Sequence, residues 1–173
     1  MNLNNKIEYA FQAAQIGDTT SLTNLLDTDP TLANTENSEG LTLLGFAAHF
    51  GHLDTVKSLL DYGADVNAVS HSKVNYIPSN TALHAGIAGE RNEDVIKLLL
   101  KHNAQTTIFD SNGHTCLHIA AFHDDNTGII RLLIEHGAQI NAKVEGGKTA
   151  LTLVIEEGNN QISDFLRQNG AIE

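Results

Sequence analysis

The chain has 173 residues, of which 41% are hydrophobic and 5% aromatic, with no tryptophan. A formal net charge of −11 disfavours binding to nucleic acid or to an anionic membrane surface, and it favours a protein partner with a basic patch. The single cysteine, Cys116, excludes an intramolecular disulfide. Neither a signal-peptide pattern nor an apolar run of membrane-spanning length is present, so we expect a cytoplasmic protein.

Near the start of the chain, Gly17 aligns with Gly51 of a later segment that contains two helical patterns. Beyond Gly17, three leucines at helical spacing mark the apolar face of a second helix: Leu22, Leu25 and Leu26. The sequence therefore predicts a pair of helices at the start of the chain.

A segment that begins at Gly40 then recurs three times in altered form. Its most regular positions are four threonines spaced 39, 34 and 34 residues apart: Thr42, Thr81, Thr115 and Thr149. A period in the thirties is typical of a small supersecondary unit that cannot bury its apolar face alone. Such units stack on their neighbours, so the sequence predicts a repeat protein rather than a domain built around a pocket.

Each repeat contains two helical patterns separated by a Gly or polar turn. In the second unit a short apolar helix carries Leu43, Leu44, Ala47 and Ala48, and its alanines allow a neighbouring helix to approach closely. After Gly51 and His52, a second helix carries Val56, Leu59 and Leu60 on one face. It should end at Gly63 in the left-handed conformation, and Asn103 takes the same place in the third unit.

The elements Gly-x-Thr-x-Leu-His-x-Ala, Gly-His, Val-x-x-Leu-Leu and Gly-Ala-Asp-Val-Asn-Ala resemble the ankyrin repeat from about Lys6 to the end of the chain. The resemblance implies an all-α repeat solenoid of antiparallel helix pairs with projecting β-turn fingers. It implies one domain, 1–173, with approximate units 1–35, 36–68, 69–108, 109–142 and 143–173. The outer units are interpreted as caps, because the Thr-x-Leu-His motif is missing from the first, and Ser163 and Arg167 replace apolar residues in the last.

The third finger breaks the repeat. It is six residues longer than the others, and the extra residues lie within Val69–Pro78. Loops tolerate insertions at little cost, but long loops on a rigid scaffold also bind partners, so both interpretations stay open. Single-residue insertions are expected within 89–93 and 123–127.

Nine histidines raise the alternative of a metal site or a hydrolase. By resemblance, His84 and His118 hydrogen-bond the threonine that starts their helix, and His52 has a similar structural role. A zinc site at His114, Cys116 and His118 is disfavoured because His118 points inward. We interpret Asp124 and Asp125, beside His123, as acids at a helix start, and Gly146–Thr149 as a finger turn rather than a phosphate loop. Cys116 should be a small buried residue.

The sequence therefore predicts no catalytic residue, no metal and no cofactor. The alternatives are a metal-binding or hydrolytic protein that uses the histidines, and a self-associating structural spacer. By resemblance, a monomer would bind another protein through its finger tips and the exposed side of the first helix of each pair. Aromatic side chains are typical interface anchors, and the motif places at least Phe50 and Phe122 outward. The candidate positions are Glu39, Leu41, His49, Phe50, Tyr76, Ile77, Asn80, Phe109, Asn112, His114, Phe122, His123, Lys148 and Glu156.

The loop after Leu59 carries one further pattern. Asp65-Val-Asn67 resembles the segment that an asparagine hydroxylase modifies in many ankyrin repeats. The alternative is that Asn67 simply shapes the loop.

Overall fold

A computed structural model describes residues 2–90, 92–123, 127–144 and 146–173. The α-helices of these residues are α1 (Leu3–Ile16), α2 (Thr19–Thr28), α3 (Leu43–His49), α4 (Leu53–Asp61), α5 (Ala82–Ala88), α6 (Glu93–Lys101), α7 (Cys116–Ala121), α8 (Thr127–Glu135), α9 (Ala150–Glu156) and α10 (Asn160–Gln168). A short 3-10 helix, Pro30–Asn34, follows α2. Within the described ranges, β-type pairing is limited to two isolated bridges, Glu36–Thr42 and Lys143–Thr149. The all-α repeat fold is therefore confirmed.

The helices pack as two compact units, Met1–Ala104 and Gln105–Glu173. The first unit holds α1 to α6 and the second holds α7 to α10. The interpretation of 1–173 as one domain remains a prediction.

In the first unit, the first helices of the three pairs form one layer and the second helices form the other. We call α1, α3 and α5 inner helices, and α2, α4 and α6 outer helices. Small residues face each other where α3 packs on α5, since a Cβ added to Gly86 would make an ordinary van der Waals contact with the Cβ of Ala48 at 3.6 Å. The prediction that alanines admit a close neighbour is confirmed.

The first inner helix differs from the others in length. Helix α1 has 14 residues, whereas α3 and α5 have seven each. Its cap residue Asn2 accepts a hydrogen bond from the backbone N–H of Asn5, and Gly17 ends it in the left-handed conformation at φ 73°.

The ends of the outer helices follow the sequence prediction. Gly63 closes α4 with φ 84°. Asn103 has φ 65° after α6, and among the described residues it alone has a positive φ without being glycine. Asparagine adopts this region more readily than other residues with a Cβ, which explains the replacement.

In the second unit, α7 packs on α8 and α9, and α9 packs on α10. The guanidinium of Arg131 on α8 lies 5.2 Å from the ring centroid of Phe165 on α10. Ser163 differs from the expectation of a polar outer face, because only 3% of it is exposed. Its hydroxyl donates to the carbonyl of Asn160 at 3.0 Å, so the serine is buried with its polar group satisfied.

No helix in the described ranges is both long enough and apolar enough to cross a bilayer.

Candidate partner-binding surfaces

Helices α5 and α7 each begin with a threonine–histidine pair. In α5, Nδ1 of His84 lies 2.8 Å from Oγ1 of Thr81 and accepts the backbone N–H of Thr81 at 3.4 Å. In α7, His118 makes the same contacts with Thr115 at 2.8 and 3.2 Å. The Nε2 atom of His118 also donates to the carbonyl of Ala142, in the next finger, at 3.1 Å. The structural role that the resemblance implied for both histidines is confirmed.

Burial favours the neutral form of His118. It lowers the pKa of this imidazole below its ordinary value, and the neighbouring His114 lowers it further. A neutral ring with Nε2 as donor and Nδ1 as acceptor fits the observed bonds.

Other histidines also bond backbone carbonyls. Nε2 of His52 lies 2.9 Å from the carbonyl of Gln15, at the end of α1, which confirms its predicted structural role. Nδ1 of His102 and Nδ1 of His136 lie 3.0 and 2.8 Å from carbonyls one turn earlier in their helices. These rings satisfy helix ends, so the number of histidines does not by itself indicate a metal site.

The described ranges do not bring together the ligands that a metal site needs. No group of three or more His, Cys, Asp and Glu side chains there could hold a metal ion. Cys116 is fully buried, as predicted, and burial raises the pKa of its thiol far above the ordinary value. The prediction for Asp124 and Asp125 lies outside the described residues.

The turn at Gly146–Thr149 is a finger turn, as predicted. Gly146 and Gly147 have φ values of 89° and 82°. Two backbone hydrogen bonds close the turn within the finger: the N–H of Val144 donates to the carbonyl of Lys148 at 2.8 Å, and the N–H of Gly147 donates to the carbonyl of Val144 at 2.9 Å.

Two finger tips are shaped by a side chain that the sequence analysis did not single out. Oδ1 of Asn37 accepts the backbone N–H groups of Glu39 and Leu41, both at 3.0 Å. Oδ1 of Asp110 accepts those of Asn112 and His114 at 2.9 and 2.8 Å. Each residue lies three positions before the glycine of its turn, Gly40 or Gly113, and this spacing was a signal available in the sequence.

The finger that contains Val69–Pro78, which we call the extended finger, is ordered along the preceding finger. The backbone N–H of His71 donates to the carbonyl of Gly40 at 2.9 Å, and that of Lys73 donates to the carbonyl of Glu39 at 2.8 Å. Oε1 of Glu36 lies 2.8 Å from Nδ1 of His71 and also accepts the backbone N–H of His71 at 3.1 Å. At the base of the finger, the N–H of Ser70 donates to the carbonyl of Asn80 at 2.9 Å.

Gly40 makes this approach of two fingers feasible. Its φ is 76°, and a Cβ added there would lie 2.0 Å from the carbonyl oxygen of His71. Only glycine provides both the conformation and the space.

In the first unit, the candidate positions divide by exposure. Glu39 and His49 are exposed, and Tyr76, at the tip of the extended finger, is 86% exposed. The half-buried ones are Leu41, Phe50, Ile77 and Asn80. Phe50 differs from the expected outward position because its ring packs edge-on against Phe46 and His49, with centroids 5.1 Å apart in both pairs.

In the second unit, most candidate positions are exposed. Phe109 is 48% and Phe122 45% exposed, and the other exposed positions are Asn112, Lys148 and Glu156. His114 and His123 are half-buried. The structure brings two small groups together: His114 lies edge-on to Phe122 with centroids 6.0 Å apart, and Nζ of Lys148 lies 2.7 Å from Oε2 of Glu156. The role of these positions in binding remains a prediction.

Asn67 has a structural contact. Its Nδ2 donates to the carbonyl of Asn103 at 3.1 Å, at the end of α6. Asn34 and Asn141 make corresponding bonds to the carbonyls of Gly63 and Gly170 at 2.8 and 3.3 Å. This shared geometry favours the interpretation that Asn67 shapes the loop.

Helix pairs joined by ordered β-turn fingers define an α-helical repeat protein that exposes helix ends and finger tips. The chain belongs to the ankyrin-repeat family, because the family model described as ankyrin repeats (3 copies) matches residues 10–110, 69–144 and 87–172. Repeats of this family generally serve as protein–protein interaction modules and are typically not catalytic.

Similar proteins from plants and a mammal carry related segments. The chain is 38% identical over 89 residues to the serine/threonine-protein kinase VIK of Arabidopsis thaliana. The matched segment covers 51% of this chain and 19% of the kinase. It is 33% identical over 106 residues to ankyrin repeat and SAM domain-containing protein 6 of Rattus norvegicus, covering 61% of this chain and 11% of that protein. It is 34% identical over 102 residues to the E3 ubiquitin-protein ligase XB3 of Oryza sativa subsp. japonica, covering 58% of this chain and 21% of the ligase. The matches thus span at most about a fifth of these relatives.

Proposed function

We propose that this chain is a non-enzymatic interaction module that binds another protein through its finger tips and the exposed side of the first helix of each pair. The observation that carries the proposal is the tip of the extended finger, where Tyr76 is exposed in a loop whose backbone bonds Gly40 and Glu39 through His71 and Lys73. An exposed aromatic side chain on a fixed backbone loses little conformational freedom when a partner covers it. Phe109 and Phe122 offer similar anchors in the second unit.

The proposal extends to the charge of the partner, the cellular compartment and the oligomeric state. A net charge of −11 supports a protein with a basic patch and disfavours nucleic acid and anionic membrane. A single, fully buried cysteine is compatible with the reducing cytoplasm, where we place the protein as a monomer.

The test is affinity capture from the native host with single variants of the two exposed anchors. We expect Tyr76→Ser or Phe122→Ser to reduce the recovery of a specific partner by roughly tenfold or more, because an aromatic hot spot contributes about 2 kcal/mol. The matched control is Ile172→Ser, since Ile172 is 67% exposed but follows α10, the second helix of its pair, and belongs to no finger tip. Equal recovery with all three variants would contradict the proposal.

The two alternatives have direct assays. A stoichiometric transition metal that survives dialysis, or hydrolytic activity of the purified protein, would favour the metal or hydrolase alternative. A discrete oligomer in light scattering would favour the self-associating spacer.

A further inference from the structure

The first unit contains a groove that includes only one of the candidate positions described above, Glu39. Its volume is about 530 Å³, and it lies between the exposed face of α1 and the finger that precedes α3. Apolar side chains of Ile7, Phe11 and Phe46 line it, together with carboxylates of Glu8, Glu36 and Glu39. Helix α1 presents this face through residues spaced three and four apart, so one straight helix supplies one wall.

The apolar part of the groove belongs to a row of aromatic rings. The ring centroids of Phe11 and Phe46 lie 5.2 Å apart, and those of Phe46 and Phe50 lie 5.1 Å apart, both edge-on. Phe11 is buried, whereas Phe46 and Phe50 are half-buried. Phe11 therefore fixes one end of the row in the core, while Phe46 and Phe50 remain partly accessible. An apolar side chain or a cation can pack on the ring of Phe46.

The charges of the groove have one sign. Among the described residues that line it, none is Lys, Arg or His. Beside the groove, in the extended finger, Nδ1 of His71 lies 2.8 Å from Oε1 of Glu36, and Nζ of Lys73 lies 3.3 Å from the carbonyl of Ser38. Glu8 and Glu39 remain exposed, so their charges are available to a partner.

We propose that this groove binds a short segment of a partner protein in which basic side chains flank an apolar one. The apolar side chain packs on Phe46 and Ile7, and the basic side chains lie beside Glu8 and Glu39. The groove falls within the size range of ordinary ligand pockets, about 300–1,000 Å³, so it takes a few side chains rather than a folded domain. A carboxylate rim over an apolar floor selects against an acidic segment and against a purely polar one. The inference rests on the proposed function. It places the basic part of the partner in the groove between α1 and the finger that precedes α3.

The experiment is an NMR titration of the ¹⁵N-labelled full chain with three capped synthetic peptides. The first is Gly-Ser-Arg-Leu-Arg-Leu-Arg-Ser-Gly; the second has Glu in place of each Arg, and the third has Ser in place of each Leu. We expect the first peptide to shift amide signals of residues 4–15 and 36–46. The other two should bind with an affinity lower by at least roughly tenfold. The second peptide lacks the basic side chains, and the third lacks the apolar ones.

Paired charge variants separate the groove from the overall charge of the protein. Glu8→Gln combined with Glu39→Gln should weaken the first peptide about two- to tenfold and reduce the salt dependence of its binding. The matched control is Asp54→Asn with Asp61→Asn, which removes the same charge from exposed positions on α4 and should leave the affinity nearly unchanged.

Two results would overturn the groove as the site. One is no shift of the groove signals by the first peptide, and the other is an equal loss of affinity in both double variants. Neither result decides the proposed function, which depends on capture of a native partner through Tyr76 and Phe122. Shifts confined to the extended finger would reject the groove and still support an interaction module.

Discussion

Gly40→Ala should release the extended finger from its neighbour. The alanine side chain would lie 2.0 Å from the carbonyl oxygen of His71, so one of the two fingers must move. Movement breaks the hydrogen bonds from His71 to Gly40 and from Lys73 to Glu39, each of which contributes about 1 kcal/mol. The left-handed φ of 76° adds about 1–2 kcal/mol for any residue with a Cβ. We therefore expect the free energy of unfolding to fall by about 3–4 kcal/mol.

Gly63→Ala is the matched control for this change. Gly63 lies in the same unit with φ 84°, and a Cβ added there would meet no atom within 4 Å. It should therefore lower the stability by only the conformational term, about 1–2 kcal/mol. The difference between the two variants isolates the contact between the fingers.

Urea unfolding followed by circular dichroism measures the stability of each variant. Repeat proteins can unfold in parts, so hydrogen exchange at the amides of His71 and Lys73 gives the local readout. Gly40→Ala should accelerate exchange at both amides, while Gly63→Ala should not. Equal losses of stability in the two variants, or retained protection at His71 and Lys73, would refute the interpretation of Gly40.

Three further predictions concern buried or bonded groups. Because the pKa of His118 is lowered in the fold, the unfolded chain takes up a proton first as the pH falls below about 6.5, so the melting temperature should fall there and fall less in His118→Asn at the same pH. The thiol of Cys116 should resist a thiol reagent in the native protein and react fully in urea, since burial disfavours the thiolate; rapid native labelling would contradict this. Asp110→Ala should lower the free energy of unfolding by about 2 kcal/mol, because two N–H groups lose a buried acceptor, and a loss below that of Asn37→Ala in urea unfolding would count against this role.

Most of the fold could be predicted because the repeat carries redundant signals. Threonine at the helix start, small residues on the inner helix and glycine after the outer helix each specify the same unit, and four copies lie in phase. Asn103 shows the strength of this redundancy. The position was recognised as a cap without its glycine, and the backbone there is left-handed as expected.

The deviations from prediction depend on contacts outside the repeat motif. Phe50 is half-buried because Phe46 lies beside it, and Phe46 in turn packs on Phe11 of the first repeat, which lacks the Thr-x-Leu-His motif. Ser163 could be buried because its hydroxyl bonds a carbonyl three residues earlier in its own helix. A motif aligned position by position contains neither contact, so exposure at these places required the structure.

The order of the extended finger bears on the two interpretations of its extra residues. An insertion that is merely tolerated can remain flexible, because closing a longer flexible loop adds only a small entropic cost to folding. Here the backbone is held at His71 and Lys73, although ordering each residue costs about 1–2 kcal/mol. The fold gains almost nothing from Tyr76 in return, since its side chain is 86% exposed. An ordered loop that leaves its aromatic tip uncovered therefore supports the proposal that a partner protein covers Tyr76.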